Sequence, residues 1–416
     1  MQRAVEALLP ARLGRDFHWI WSSSTVGNLG DGVLLAAGPL LVATVTLEPF
    51  AIAMALFLQR VPWLLFGVLA GAVIDRLDRR LLIITVNIVR ALILAVLALS
   101  IALGYRDLPV IYATMFLLGT AETLADNASS TVVAVAVPRA GIGQANARIH
   151  GGRIVANQLA GPPLGAFIFG LGLAVPFGFN ALCFALSVAL ISRINLPVPA
   201  DTGPRTTSLR AEAAEGLRWL WGHAPVRTLA IMITVFNVTF GAAFSIWVLY
   251  ATQRLGLSEV GFGLLLTARA VGGLLGAAVY QRLERHFSYA WLLRVGLVIE
   301  TCTHLALALT KVAVVAGAVM ALFGIHAVVW GTTSTTVRHR AVPAPLLGRV
   351  TSVYMIGSVG ALALGTLLGG AIAQRWGLIA PFWFAFVGSA VTTALIWQSL
   401  PNVADAAADG DPDPTL

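Results

Sequence analysis

The chain has 416 residues, 58% hydrophobic and 11% charged, and carries a formal charge of +8 from 27 basic and 19 acidic side chains. A soluble domain carries about 25% charged residues, so this chain has too little polar surface to face water, and lipid is the expected solvent for most of it. The basic residues stand in short clusters between apolar runs, a topology signal rather than a nucleic-acid surface. Cys183 and Cys302 both lie inside apolar stretches, which argues against a disulfide framework or a metal site.

A bilayer-crossing helix needs about 20 mostly apolar residues. In chain order, 1–16 reads as a cytoplasmic lead-in with Arg3, Arg12 and Arg15 and without a cleavable signal peptide. Six spans follow at 17–45, 50–74, 81–104, 109–136, 149–170 and 174–194, forming an N-terminal bundle over 17–194. The segment 195–225 is a cytoplasmic linker opening on Pro197, Pro199 and Pro204. Residues 208–221 then predict an amphipathic helix at the membrane interface, with Leu209, Ala213, Leu217, Leu220 and Trp221 on one side. Six more spans, at 226–252, 260–281, 288–310, 312–337, 349–372 and 378–399, form a C-terminal bundle over 226–399. The acidic, Pro-bearing end, 400–416, predicts a disordered tail. The runs are continuous rather than alternating, which excludes a barrel. The expected fold class is all-α: a polytopic membrane protein of twelve transmembrane helices in two pseudo-symmetric six-helix bundles.

Arg and Lys mark cytoplasmic loops. One set of loops holds Arg76, Arg79 and Arg80; Arg139 and Arg148; Arg193, Arg205, Arg210 and Arg218; Arg282 and Arg285; Arg338, Arg340 and Arg349. The alternate set holds only Arg106, Arg254, Lys311 and Arg375. Both termini are therefore expected in the cytoplasm, with the chain in the inner (plasma) membrane.

The halves echo each other. Arg76-Leu77-Asp78-Arg79 recurs 206 positions on as Arg282-Leu283-Glu284-Arg285. Val137-Pro138 and Gly143 recur 205 positions on as Val342-Pro343 and Gly348, and Gly161 and Gly165 recur 204 positions on as Gly365 and Gly369. Two parallel repeats of this kind place a cavity between them and allow alternating access by rocking.

After the second span, Gly71-Ala72-Val73-Ile74-Asp75-Arg76-Leu77-Asp78-Arg79-Arg80 resembles the signature loop of the major facilitator superfamily, Gly-x-x-x-Asp-Arg-x-Gly-Arg-Arg, in letters and in position. Asp78 stands where the family usually has Gly. In the fifth span, Asn157-Gln158-Leu159-Ala160-Gly161-Pro162-Pro163-Leu164-Gly165-Ala166 resembles the exporters' antiporter motif, Gly-x-x-x-Gly-Pro-x-x-Gly-Gly, with Asn157 and Ala166 replacing its outer glycines. Segments 28–32, 60–62 and 121–127 are similar to the branch holding enterobactin exporters and macrolide efflux proteins. The resemblance implies the major facilitator fold, export rather than uptake, and a conformational latch formed by Gly71, Asp75, Arg76, Arg79 and Arg80, with Asp126 pairing a loop arginine. The plainer reading of the loop arginines is positive-inside anchoring.

A charge at the bilayer centre costs about 2.5–3.5 kcal/mol on insertion scales and is usually paired or functional. Asp31, mid-way along span one, reads as a proton or cationic-substrate site, or as a packing residue beside Gly30 and Gly32. Glu122, near mid-membrane in span four, reads as a proton-exchanging carboxylate or as the ion-pair partner of Arg60 in span two, and Arg60 reads as that partner or as a contact for an anionic substrate. Glu300 and His304 share a helical face at i, i+4 and suit a proton relay, or else a solvated or structural pair near a helix end. Arg269 and His326 are weaker candidates. Trp21, Trp247, Phe236 and Phe244 suit either a cavity wall or ordinary packing. The Gly161, Pro162 and Gly165 motif, with Asn157, reads as a hinge or seal.

The expected function is proton-coupled efflux of an amphiphilic small molecule (a drug, a macrolide-like compound or a siderophore) by alternating access, the few buried acidic residues suiting a neutral or cationic amphiphile or a siderophore. The alternative is coupled uptake of a small metabolite by the same fold. No serine-hydrolase, zincin or phosphate-loop motif is present, so no enzymatic activity, cofactor, metal or ATP is expected. The expected partners are the substrate, protons and the lipid bilayer, and the expected state is a monomer.

Overall fold

The structure, a computed structural model, describes residues 13–74, 78–194 and 209–405. Among these the regular elements are helical. In chain order they are α1 (Arg15–Val45), α2 (Pro49–Ile74), α3 (Arg79–Ala102), α4 (Leu108–Ala136), α5 (Ile142–Leu171), α6 (Val175–Ile191), α7 (Leu209–Gly222) and α8 (Ala224–Phe244). Then follow α9 (Glu259–His286), α10 (Tyr289–Leu309), α11 (Ala313–Ala341), α12 (Leu347–Trp376), α13 (Ala380–Ile396) and α14 (Leu400–Asp405). Among the described residues ten helices are long and apolar enough to cross a membrane, and the shorter apolar α6 and α13 complete the twelve expected spans.

Local chemistry sets the ends of these helices. Proline opens α4, α6, α8 and α13, where its missing N–H costs nothing. Asp78 caps α3, its carboxylate accepting from the backbone N–H of Arg80 at 2.9 Å and of Leu81 at 3.1 Å. With φ −61, residue 78 needs no glycine, so the departure from the signature loop is a helix cap. Gly377, at φ 89, ends α12.

Within the helices, apolar side chains such as Val314 and Leu395 stay 81% and 77% exposed, the surface a lipid-facing helix presents.

Three elements differ from the sequence reading. Helix α5 starts at Ile142, seven residues before the apolar run, because a polar stretch that only Ala145 buries is still helical. In α7 the packed face is Leu220 with Trp219, set against Val226, Val342 and Val350, whereas Leu217 and Trp221 stay exposed. Glu215 binds Arg349 at 2.6 Å, and Gly216 rests on the Arg349 backbone, which fixes that orientation. Residues 400–405, expected in a disordered tail, form α14, with Leu400 and Val403 buried beside Leu229 and Leu293. The rest of that tail, 406–416, lies outside the described residues, as does most of the lead-in.

The chain divides into two units. One contains Met1–Leu47, Leu58–Gly203 and Leu257–Thr267, and the other Glu48–Phe57, Pro204–Gly256 and Ala268–Leu416. In the first, Gly161 of α5 rests on the backbone of Gly32 in α1, and Gly165 rests on Val33. In the second, Gly365 of α12 rests on Val238 of α8, and Gly369 on Ala242. The repeat seen in sequence thus recurs as the same backbone-to-backbone contact in each unit, made by small residues that let helices approach closely. Helix α5 reaches this contact through a π-helical stretch, Ile154–Ala160. In the second unit, a shorter π turn, Tyr250–Arg254, continues α8. There Arg254 donates to the carbonyls of Thr310 and Ala308, both at 3.2 Å, capping the end of α10.

Candidate functional site

Each unit encloses a cavity with buried charge at its wall. In the first unit a cavity of about 100 Å³ is lined by α1, α3, α4, α5 and α6. Arg90 Nη2 donates to Asp31 Oδ1 at 2.5 Å, and the guanidinium carbon lies 4.0 Å from the Phe184 ring centroid. A polar seam continues beside it: Asn87 Nδ2 donates to Ser187 Oγ at 3.2 Å, and that hydroxyl lies 2.7 Å from Ser23 Oγ.

Arg90 was absent from the sequence candidates, although a lone arginine in the apolar run 81–104 carries the same signal as a lone carboxylate. Glu122 and Arg60 are both half-buried. Gly119 of α4 rests on the backbone of Gln59 in α2, so the two residues sit near one helix crossing.

The second unit holds a larger cavity of about 250 Å³. Glu300 and His304 are both buried, which excludes the solvated reading of the pair. His304 Nε2 lies 3.3 Å from Glu300 Oε1, and His326 Nε2, from α11, lies 3.0 Å from Glu300 Oε2. An ionised carboxylate only accepts, so an ionised Glu300 takes an Nε2–H from each ring. Each Nδ1 is buried without a hydrogen-bond partner. Phe236, Phe240, Phe323 and Trp330 form the apolar wall.

Arg269 of α9 enters this cavity because glycines remove the space between α9 and α11. Gly324 rests on the Arg269 backbone, and Gly272 on that of Ala321. The Arg269 guanidinium carbon lies 5.4 Å from the Phe240 ring centroid and 5.7 Å from that of Phe323. Arg269 and His326, minor in the sequence reading, therefore join Glu300 and His304 in one cluster, through packing that no linear pattern specifies. Phe236 lines the same cavity, Phe244 stacks on Phe240 at 4.3 Å, and Trp247 is buried against Tyr250.

The latch residues are placed in part. Gly71 lies in the last turns of α2. Asp75, Arg76 and the side chain of Asp126 lie outside the described residues. Arg79 opens α3, and Arg80 Nη2 donates to the carbonyl of Ser192 at the end of α6, where a cation complements the helix dipole. In the antiporter-like motif Asn157 lies in the π stretch and its backbone abuts Gly32, while Gly161, Pro162 and Gly165 are buried. Among the described residues no group of acidic, His or Cys side chains has the arrangement of a metal site.

A family model described as a transmembrane secretion effector matches residues 7–413. The multidrug efflux pump Tap of Mycolicibacterium fortuitum is 28% identical, over 87% of this chain and 90% of its own. Multidrug resistance protein 1 of Bacillus subtilis (strain 168) is 23% identical, over 66% of this chain and 69% of its own. Among solved structures, the nucleoside transporter NupG matches with a TM-score of 0.75 over 94% of this chain and 100% of that one, at 11% identity, a likeness of fold alone.

Proposed function

We infer the function from the family: this chain belongs to the transmembrane secretion effector family of the major facilitator superfamily and is a multi-pass membrane transporter of small molecules. We propose that it exports amphiphilic compounds (drugs, macrolide-like molecules or siderophores) in exchange for protons, by alternating access. The efflux activity named for the Tap relative supports the direction.

The coupling rests on one observation: Glu300 is held between His304 and His326 inside an apolar bundle. Ionisable groups there are expensive to bury and are retained for use. A proton loaded on Nδ1 of either ring neutralises the net negative charge of that cluster. Asp31 and Glu122 are the proposed proton-binding carboxylates of the other half. Substrate and proton then favour different conformations through their differential affinities. In this reading 17–194 and 226–399 are the two moving halves, 195–225 joins them, and both termini face the cytoplasm across the plasma membrane.

The test uses everted membrane vesicles, energised to acidify their lumen, and the neutral dye N-phenyl-1-naphthylamine. Dye entry that is abolished by a protonophore and accompanied by loss of luminal acid is expected. Dye leaving the lumen together with protons would reverse the direction and favour uptake. Dye movement indifferent to the protonophore would remove the proton from the mechanism.

A further inference from the structure

The larger cavity presents an arginine to whatever enters it. Arg269 is exposed to the cavity space, and it has no hydrogen bond or ion pair among the described residues. Its described contacts are the faces of Phe240 and Phe323. Glu300 is the only carboxylate among the residues lining the cavity, and it is near enough to act on Arg269 electrostatically. Both Glu300 oxygens already lie within hydrogen-bond distance of an imidazole Nε2, at 3.3 and 3.0 Å, and Glu300 itself is 6% exposed. The acid of this cavity is therefore committed to its histidines and withdrawn, while the guanidinium is offered with its donors open. Cation–π contact with two rings holds the guanidinium at the wall without using its N–H donors.

We propose that this cavity binds the carboxylate head of a small aromatic amphiphile, with Arg269 pairing the carboxylate and Phe236, Phe240, Phe323 and Trp330 covering the ring system. The chemistry follows from the parts. A guanidinium edge matches a carboxylate with two parallel hydrogen bonds. The aromatic wall supplies burial for a flat apolar body. A cavity of about 250 Å³ suits a bicyclic ring better than a macrocycle. A cationic head would meet Arg269 before it reached a free carboxylate oxygen. The proposal rests on the export reading for its biological role, but binding itself requires neither a direction nor an energy source.

The test is equilibrium dialysis of the full chain, purified in uncharged detergent, against three probes of one shape: 2-naphthoate, 2-naphthamide and 2-naphthylmethylammonium. Binding of naphthoate at least tenfold tighter than either other probe is expected. Arg269→Gln should bring naphthoate down to the level of naphthamide without moving naphthamide, and Arg269→Lys should keep part of the preference. Tightest binding of the ammonium probe, equal binding of all three, or no binding at all would each overturn the proposal. So would a preference for naphthoate that survives Arg269→Gln, or displacement of naphthoate by near-stoichiometric phosphatidylglycerol, which would make a lipid headgroup the ligand. If Arg269→Gln does not purify as a single species, Phe240→Leu replaces it and must weaken all three probes. A chain that selects naphthoate through Arg269 yet moves no dye would sink the export reading and leave this site standing.

Discussion

Arg90 donates to the Asp31 carboxylate at 2.5 Å, joining α3 to α1 across 59 residues of sequence. Arg90 is 6% exposed, so its charge has little access to water if Asp31 is removed. Arg90→Gln or Asp31→Asn alone should destabilise the purified chain by about 3 kcal/mol, the usual cost of stranding one partner of a buried pair. The double substitution should recover most of that loss. Thermal unfolding in detergent measures it, and a double variant no better than the singles would mean that the two charges act independently.

The glycine contacts make a paired prediction. A methyl group at Gly161 would enter the backbone of Gly32, and one at Gly365 would enter that of Val238, whereas Gly170 and Gly317 have open space at that point. Gly161→Ala and Gly365→Ala should each cost about 1–3 kcal/mol by overpacking. Gly170→Ala and Gly317→Ala should be close to neutral. Equal effects at all four positions would contradict the close approach.

Glu300→Gln replaces an acceptor with an amide that presents both an oxygen and an NH2. One imidazole Nε2–H would then face a donor, and the cluster would lose its negative charge. Dye efflux should fall by roughly tenfold, equivalent to about 1.4 kcal/mol in the barrier, and its dependence on pH between 6 and 8 should flatten. Glu300→Asp should retain part of the rate. Wild-type efflux by Glu300→Gln would end the role of this cluster in coupling.

His223, outside the spans, gives a pH dependence of known sign. Its Nδ1 accepts from the Val226 backbone N–H at 3.4 Å, and its ring stacks on Trp219 at 4.7 Å. Burial holds its pKa below the ordinary 6.5. The neutral ring caps α8, and the protonated ring would meet both a donor and the positive end of the helix. The stabilisation is therefore fully present above pH of about 6.5 and is lost as pH falls through the lower folded-state value. Hydrogen exchange at the Val226 amide, corrected for intrinsic rate, should accelerate between pH 8 and pH 5.5. In His223→Asn, whose cap does not titrate, that acceleration should disappear.

The spans were legible because apolar run length alone sets them, and so was the duplication, through Gly161 and Gly365. The i, i+4 spacing of Glu300 and His304 showed that they share a face. It did not show that His326 reaches the same carboxylate from α11, since that depends on how α10 and α11 pack. Arg90 escaped because its value lies in its partner, which is on another helix. The packed face of α7 also escaped: its amphipathic pattern offers Leu217 and Leu220 equally, and only the contact between Gly216 and Arg349 chooses between them. Helix α14 was hidden by its short length, as two buried side chains hold a segment whose composition alone reads as tail.

The wide turns of α5 store an adjustable angle. An α-helix advances about 100° per residue, so winding Ile154–Ala160 tightly would swing Gly161 and Gly165 away from the α1 backbone they now meet. Surplus backbone of this kind can be handed along the ladder one hydrogen bond at a time. The angle at which the C-terminal half of α5 meets α1 is therefore set by main chain inside the helix rather than by a loop.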